Sequence, residues 1–337
     1  MSAGEDARRR EARSATPGLS GGRAERWDAA GLCDVAIWLV ALWPLVRLAR
    51  DWARGLDHLI YRYLVDDAFY YFEISRHIPE FNEGVANSGF HPLYAFLVAP
   101  LHSLGTPEVA IPASLLVLVL AQAAGAIVLY RLLSKLWSRP VAFLCGATWA
   151  VSGSLYSLAM TGVETVLAAL LVMLFLSLFV DGVAAGEPRL RWRGALPGLV
   201  AAAAFLARLD SPILMAPAGA VLAYRLVRSR RFGELTIMTA TALAPSLAWL
   251  AYIRLRTGDV FPTSGAAIRA LRGVEETTLL PPELTAFLAE HLTRRFGHFF
   301  WRGDTGVWVV VALTVLAVIG PRGPQVLGQV ELGEDLA

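Results

Sequence analysis

Two adjacent aspartates, Asp66 and Asp67, follow the first apolar block of the chain and open the stretch Asp66-Asp67-Ala68-Phe69-Tyr70-Tyr71-Phe72-Glu73. Carboxylates beside a bilayer are costly unless water or a function supports them. A positioned carboxylate can take the proton of an attacking hydroxyl, and a second one close by raises the pKa of one member, which suits a base working near neutral pH. The plainer reading is that the pair stabilises the positive end of a helix predicted over 67–78; the two roles are compatible.

Four further polar segments interrupt apolar sequence. Asn87-Ser88-Gly89-Phe90-His91-Pro92-Leu93 reads as a turn followed by a helix whose first residue is Pro92, leaving His91 at the helix start to meet a phosphate or merely the backbone. Gly162-Val163-Glu164-Thr165 puts an acid at the start of an apolar helix, where the dipole alone would favour it. Arg208-Leu209-Asp210-Ser211 reads as charged substrate-binding groups or as a plain ion pair. The fourth, Gly258-Asp259-Val260-Phe261-Pro262-Thr263-Ser264-Gly265, contains turn formers, with Arg269 four residues beyond Gly265. No metal-ligand cluster, Walker loop, nucleophile elbow or dinucleotide fingerprint occurs, which removes most soluble-enzyme classes.

The elements that must position these residues are membrane helices. A mean hydropathy of +0.52, with 56% hydrophobic and 17% charged residues, departs from the balance of soluble domains. The apolar residues form blocks at about 31–49, 109–130, 141–160, 163–180, 195–209, 211–227, 235–253 and 307–320, of which 195–209 and 307–320 are short for a span. Short basic loops mark the cytoplasmic side: Arg131, Lys135 and Arg139; Arg189, Arg191 and Arg193; Arg225, Arg228, Arg230 and Arg231. The N-terminal tail, with Arg8, Arg9, Arg10, Arg13, Arg23 and Arg26, joins them if the stretch 90–104 is interfacial or re-entrant. This topology collects all five polar segments on the extracytoplasmic face. The first span lacks a small-residue cleavage site and reads as an anchor. Cys33 and Cys145 lie inside spans and read as packing residues, and Trp43, Trp52, Tyr70 and Tyr71 suit the interfacial aromatic belt.

In this order the motifs resemble those of the GT-C fold membrane glycosyltransferases. The Asp66-Asp67 pair after the first span is similar to that family's signature, and Asn87 to Leu93 to an Asn-Gly-Phe-His-Pro-Leu element of bacterial members. Gly162-Val163-Glu164-Thr165 resembles their Gly-Met-Glu-Thr, Arg208-Leu209-Asp210 their Arg-x-Asp, and Gly258 to Gly265 their Gly-Asp-x-x-Pro-x-Ser-Gly. The likeness covers about residues 30–272. It implies an all-α polytopic protein with a GT-C-like module at 29–254 and a large first extracytoplasmic loop; composition and charge topology add a disordered cytoplasmic tail (1–28), an extracytoplasmic loop (255–306), a last helix (307–320) and a cytoplasmic tail (321–337). A lysine expected after Ser264-Gly265 is replaced by Ile268 and Arg269, and many relatives continue past the eighth span.

The resemblance further implies transfer of a sugar from a polyprenyl-phosphate donor to a cell-envelope glycan, lipid or protein hydroxyl, with inversion, at the outer face of the inner (plasma) membrane. Asp66 is then the first candidate base, with Asp67 supporting it. His91, Glu164, Arg208, Asp210, Ser264 and Arg269 would bind substrate, Arg208 and Arg269 holding the leaving phosphate through paired charge-assisted bonds. No cofactor is expected, a divalent cation is left open, and nucleic acid is not an expected partner. The alternatives are a transporter or lipid flippase, which would carry its charges at the midplane on repeated or broken helices, and a truncated, inactive homologue.

Overall fold

The computed structural model describes residues 29–78, 80–82, 85–86, 89–184 and 194–258. The tails at 1–28 and 321–337, the helix expected at 307–320, and Ser264 and Arg269 lie outside them. The described chain is helical apart from one two-stranded hairpin, in which β1 (Glu80–Asn82) pairs antiparallel with β2 (Val85–Ala86).

The first apolar block forms α1 (Ala29–Ala41) and α2 (Trp43–Trp52), joined through Leu42 just before Pro44. Proline lacks the N–H that would continue the ladder, so the break falls there. The short α3 (Leu56–Tyr63) follows, with Leu59 buried and Asp57, Tyr61 and Arg62 exposed. Next come α4 (Asp66–His77), the hairpin, and α5 (Pro92–Leu104), which begins at Pro92 as its sequence predicts. At 13 residues α5 is only about 20 Å long, too short to cross a bilayer alone and in keeping with an interfacial or re-entrant segment.

The spine is α6 (Pro107–Leu136), 30 residues long. Its apolar window is 61% buried, because α2, α5, α7 (Arg139–Val151), α8 (Gly153–Met160) and α9 (Thr165–Ala184) all pack along it. Beyond α9 lie α10 (Ala195–Ala207), α11 (Ser211–Arg228) and α12 (Phe232–Thr257). The window of α12 is only 11% buried, so its apolar surface faces outward and suits contact with lipid.

Among the described residues four helical stretches are long and apolar enough to cross a membrane: Gly31–Trp52 (α1 with α2), Pro107–Leu136, Thr165–Gly182 and Phe232–Thr257. The block expected as one span at 141–160 is instead the pair α7 and α8, bent by 47° at Ser152, whose hydroxyl accepts from the Leu155 N–H; counted as one broken span it makes a fifth. The remaining expected spans are corrected on length and composition. α10 has 13 residues, and α11, though 18 long, does not meet the same criterion. α12 runs to Thr257 and ends at Gly258 in the left-handed conformation (φ +81°) that glycine adopts without a Cβ penalty.

Apolar burial gives helices little reason to associate in lipid, so close packing and polar contacts must hold them. Gly198 permits the first between α10 and α12: a Cβ there would collide with the Thr241 hydroxyl and the Met238 carbonyl. Polar pins supply the second. Lys135 at the end of α6 reaches Asp181 (2.8 Å) and Ser177 (2.9 Å) of α9, and Asp34 of α1 takes hydrogen bonds from Tyr130 and from Arg139 (2.7 Å). Asp51 is fully buried, accepting from the hydroxyls of Tyr63 (2.9 Å) and Tyr156 (3.0 Å) and from Arg50 and Arg54 (each 3.2 Å). The sequence reading passed over Asp51; its signal was an acid between Arg50 and Arg54 at the end of an apolar block. Cys33 and Cys145 are free, and Cys145 is buried.

Candidate functional site

Three separate segments meet at Glu164. The turn Thr161 to Glu164 links α8 to α9, and Gly162 within it has φ +80°. A Cβ on Gly162 would lie 2.6 Å from that of Ala68 and 2.9 Å from Leu64 Cδ2, so only glycine lets this turn lie against the start of α4. The Val65 N–H donates to the Thr161 carbonyl (3.3 Å) and fixes the contact. Glu164 then begins α9, its carbonyl accepting from the Ala168 N–H, and its side chain turns inward with the residue only 4% exposed.

Around that buried carboxylate stand partners from α4, α5 and α10. Arg208, the residue after α10, donates from Nη1 to Glu164 Oε1 (3.4 Å) and Thr165 Oγ1 (3.3 Å). It also grips Asp210 with both edges of its fork, Nε to Oδ1 and Nη2 to Oδ2, each 3.0 Å. His91 Nε2 lies 3.7 Å from the same Glu164 oxygen. The Tyr71 hydroxyl of α4 accepts the His91 backbone N–H (3.3 Å) and lies in the field of the Glu164 carboxylate. The expected site residues His91, Glu164, Arg208 and Asp210 are thus brought together.

Two readings change. Tyr71 is no belt residue: it is 6% exposed and its hydroxyl bridges two motifs, whereas Trp43, Trp52 and Tyr70 are exposed as expected. The clue in the sequence was spacing, since Tyr71 falls one helical turn after Asp67. The Arg208 fork, expected to hold phosphate, is occupied by Asp210, which makes Arg208 the organiser of the cluster.

Asp66 and Asp67 occupy the first turn of α4, where the dipole favours acids, but Val65 is the N-cap and no side chain caps the helix. Both are exposed, and among the described residues no hydrogen bond or ion pair to either carboxylate is found. Helix phase separates them. Asp67 lies one turn from buried Tyr71 and two from buried Ile74, at the edge of the inward face; Asp66 lies one turn from Tyr70 and two from Glu73, on the outward face. Of the two, Asp67 is therefore on the side nearer the Glu164 cluster.

The cluster is electrostatically poised. Burial holds the His91 imidazole below its ordinary value despite the nearby Glu164 charge. Burial, reinforced by Glu164, pushes the Tyr71 phenol far up, so it stays a donor. The Arg208 bonds hold the Asp210 carboxyl down. Among the described residues, buried His91 Nδ1 finds no hydrogen-bond partner. Among the described residues no group of three or more His, Cys, Asp or Glu side chains converges as metal ligands do. Such an arrangement offers a solvent-facing acid, Asp67, backed by a buried, hydrogen-bonded charge cluster. Comparisons of the chain with protein-family models, with curated proteins and with solved structures find no match.

Proposed function

We propose that this protein is a membrane glycosyltransferase of GT-C type, moving a sugar from a polyprenyl-phosphate donor to an acceptor hydroxyl at the extracytoplasmic face. The observation that carries the reading is the meeting of the Asp66-Asp67, His91, Gly162 to Thr165 and Arg208 to Asp210 segments around one buried carboxylate, beside the helix start that bears two exposed acids. Residues scattered over more than 140 positions have no packing reason to pool their charges at one place.

In the proposed reaction the acceptor oxygen attacks the anomeric carbon while a carboxylate takes its proton. The bond from that carbon to the donor phosphate breaks, and the lipid phosphate leaves with the electron pair, inverting the centre. Helix phase favours Asp67 as the base, with Asp66 orienting the acceptor, reversing the order expected from sequence. Glu164, Tyr71 and Arg208 act as positioning residues: they lock the turn at Gly162 against α4 and so fix the face that Asp67 presents. Binding of the departing phosphate falls to cationic groups other than Arg208; Arg269, outside the described residues, is the candidate.

The test supplies labelled polyprenyl-phosphate sugar, or nucleotide sugar, to purified protein in lipid. Transfer is expected from the prenyl donor only. Asp67→Asn is expected to lower the rate by about 10²–10⁴, the span typical of general-base loss, and Asp66→Asn by less, with insertion and expression unchanged. Transfer from nucleotide sugar with no prenyl intermediate would refute the donor and the outward site together; unaltered turnover in both Asn variants would refute the base.

A further inference from the structure

A cleft of about 410 Å³ opens between α3 and α8, lined by Arg62, Tyr63, Ser154, Ser157, Leu158 and Thr161. It touches the Glu164 site only through Thr161, the first residue of the Gly162 turn, and its chemistry is different. No lining residue is acidic. The lining residue Tyr63 bonds Asp51 through its hydroxyl, and Asp51 is fully buried and paired with Arg50 and Arg54. The lining Ser154 and Ser157 are exposed, three residues apart on one face of α8, with no bond found to either hydroxyl among the described residues. Thr161 is different, donating its hydroxyl to the Leu158 carbonyl (2.7 Å).

The arginines nearby sharpen the point. Arg50 and Arg54 are held by Asp51, and the Arg47 guanidinium lies 3.9 Å over the Tyr156 ring. Arg62 is exposed at the cleft, 5.5 Å from the Tyr63 ring centre, and among the described residues it pairs with no carboxylate. The level of the cleft is set by α3, an amphipathic helix that begins four residues after the apolar stretch ends at exposed Trp52. Such a helix, apolar on the side of Leu59 and polar at Tyr61 and Arg62, suits the headgroup layer.

We propose that this cleft binds a phosphate ester anion at the membrane surface, with the Arg62 guanidinium supplying charge-assisted bonds and the Ser154 and Ser157 hydroxyls completing the oxygen contacts. The ligand chemistry is a lipid headgroup phosphate or a soluble phosphate ester, and it is independent of the transferase reading.

The full-length protein in detergent micelles, titrated with phosphatidylglycerol or with the phosphate-free diacylglycerol of the same chains and followed by native mass spectrometry, tests it. One saturable site is expected, about tenfold tighter for phosphatidylglycerol, the factor that one charge-assisted contact supplies. Arg62→Gln should remove that preference, Arg62→Lys should keep part of it, and the Ser154→Ala, Ser157→Ala pair should weaken it severalfold while melting unchanged. Arg76→Gln, an exposed arginine on α4 away from the lining, should bind as the parent does. Competition by glycerol phosphate would support the headgroup as sufficient ligand; tight lipid binding without competition would support the lipid-borne form. Equal binding of the two lipids, unchanged binding by Arg62→Gln, or an equal loss in Arg76→Gln would overturn the proposal.

Discussion

Replacing Tyr71 by Phe removes one oxygen from the point where α4, α5 and α9 are tied together. The ring stays, with its edge contact to Tyr94 at 5.4 Å, so apolar packing is unchanged. One hydrogen bond goes, the one accepted from the His91 N–H, and with it the phenol dipole beside the Glu164 carboxylate. A neutral hydrogen bond contributes about 0.5–1.5 kcal/mol net. Leaving the His91 N–H without its partner raises this toward the roughly 1–3 kcal/mol that an unpaired buried donor costs. The expected loss is about 1–3 kcal/mol, read by equilibrium unfolding in mixed micelles. Tyr61→Phe is the reference, since Tyr61 is 88% exposed and should fall within about 0.5 kcal/mol of the parent. A cycle with Glu164→Gln should give a coupling of about 1 kcal/mol or more between the two residues. Equal stability of Tyr71→Phe and Tyr61→Phe, or additive effects in the cycle, would refute the bridging role and with it the account of how the turn is locked against α4.

Two further outcomes follow from the same geometry. Because burial depresses the His91 pKa, the unfolded chain takes up a proton at a higher pH than the folded one, so stability should fall as pH drops through about 6.5 and level off once folded His91 is also protonated; unfolding at pH 7.5 and 5.5 should show this for the parent and less of it for His91→Gln, and identical slopes would refute it. In a cysteine-free background, Ser88→Cys should react with an impermeant thiol reagent applied from outside and Ser229→Cys should not, as the arginine distribution requires; labelling of both from one side would overturn the orientation.

Much of the helical framework was legible in one dimension. A helix at Asp66 to His77, a helix starting at Pro92, and turns at Gly162 and Arg208 are local matters of dipole, proline and glycine, and they occur where the sequence puts them. The number of crossing helices was less legible, since hydropathy reads apolar length but not a bend such as the one at Ser152, nor the end of α10 at Ala207.

The site divides in the same way. Residue types and order alone singled out Asp66, Asp67, His91, Glu164, Arg208 and Asp210, because charges that interrupt apolar sequence are expensive and therefore conspicuous. Which of them touch was decided only by packing. Tyr71 looks like any interfacial aromatic until α4 lies against the Gly162 turn, and Asp51 looks like one more surface charge until Tyr63 and Tyr156 enclose it. Helix phase, invisible in the pair Asp66-Asp67, turns one acid toward the cluster and the other away. A hydrogen bond depends on direction and on a few tenths of an ångström, and those are properties of the assembled helices, whereas the cost of a charge near lipid belongs to the residue itself and can be read from the chain.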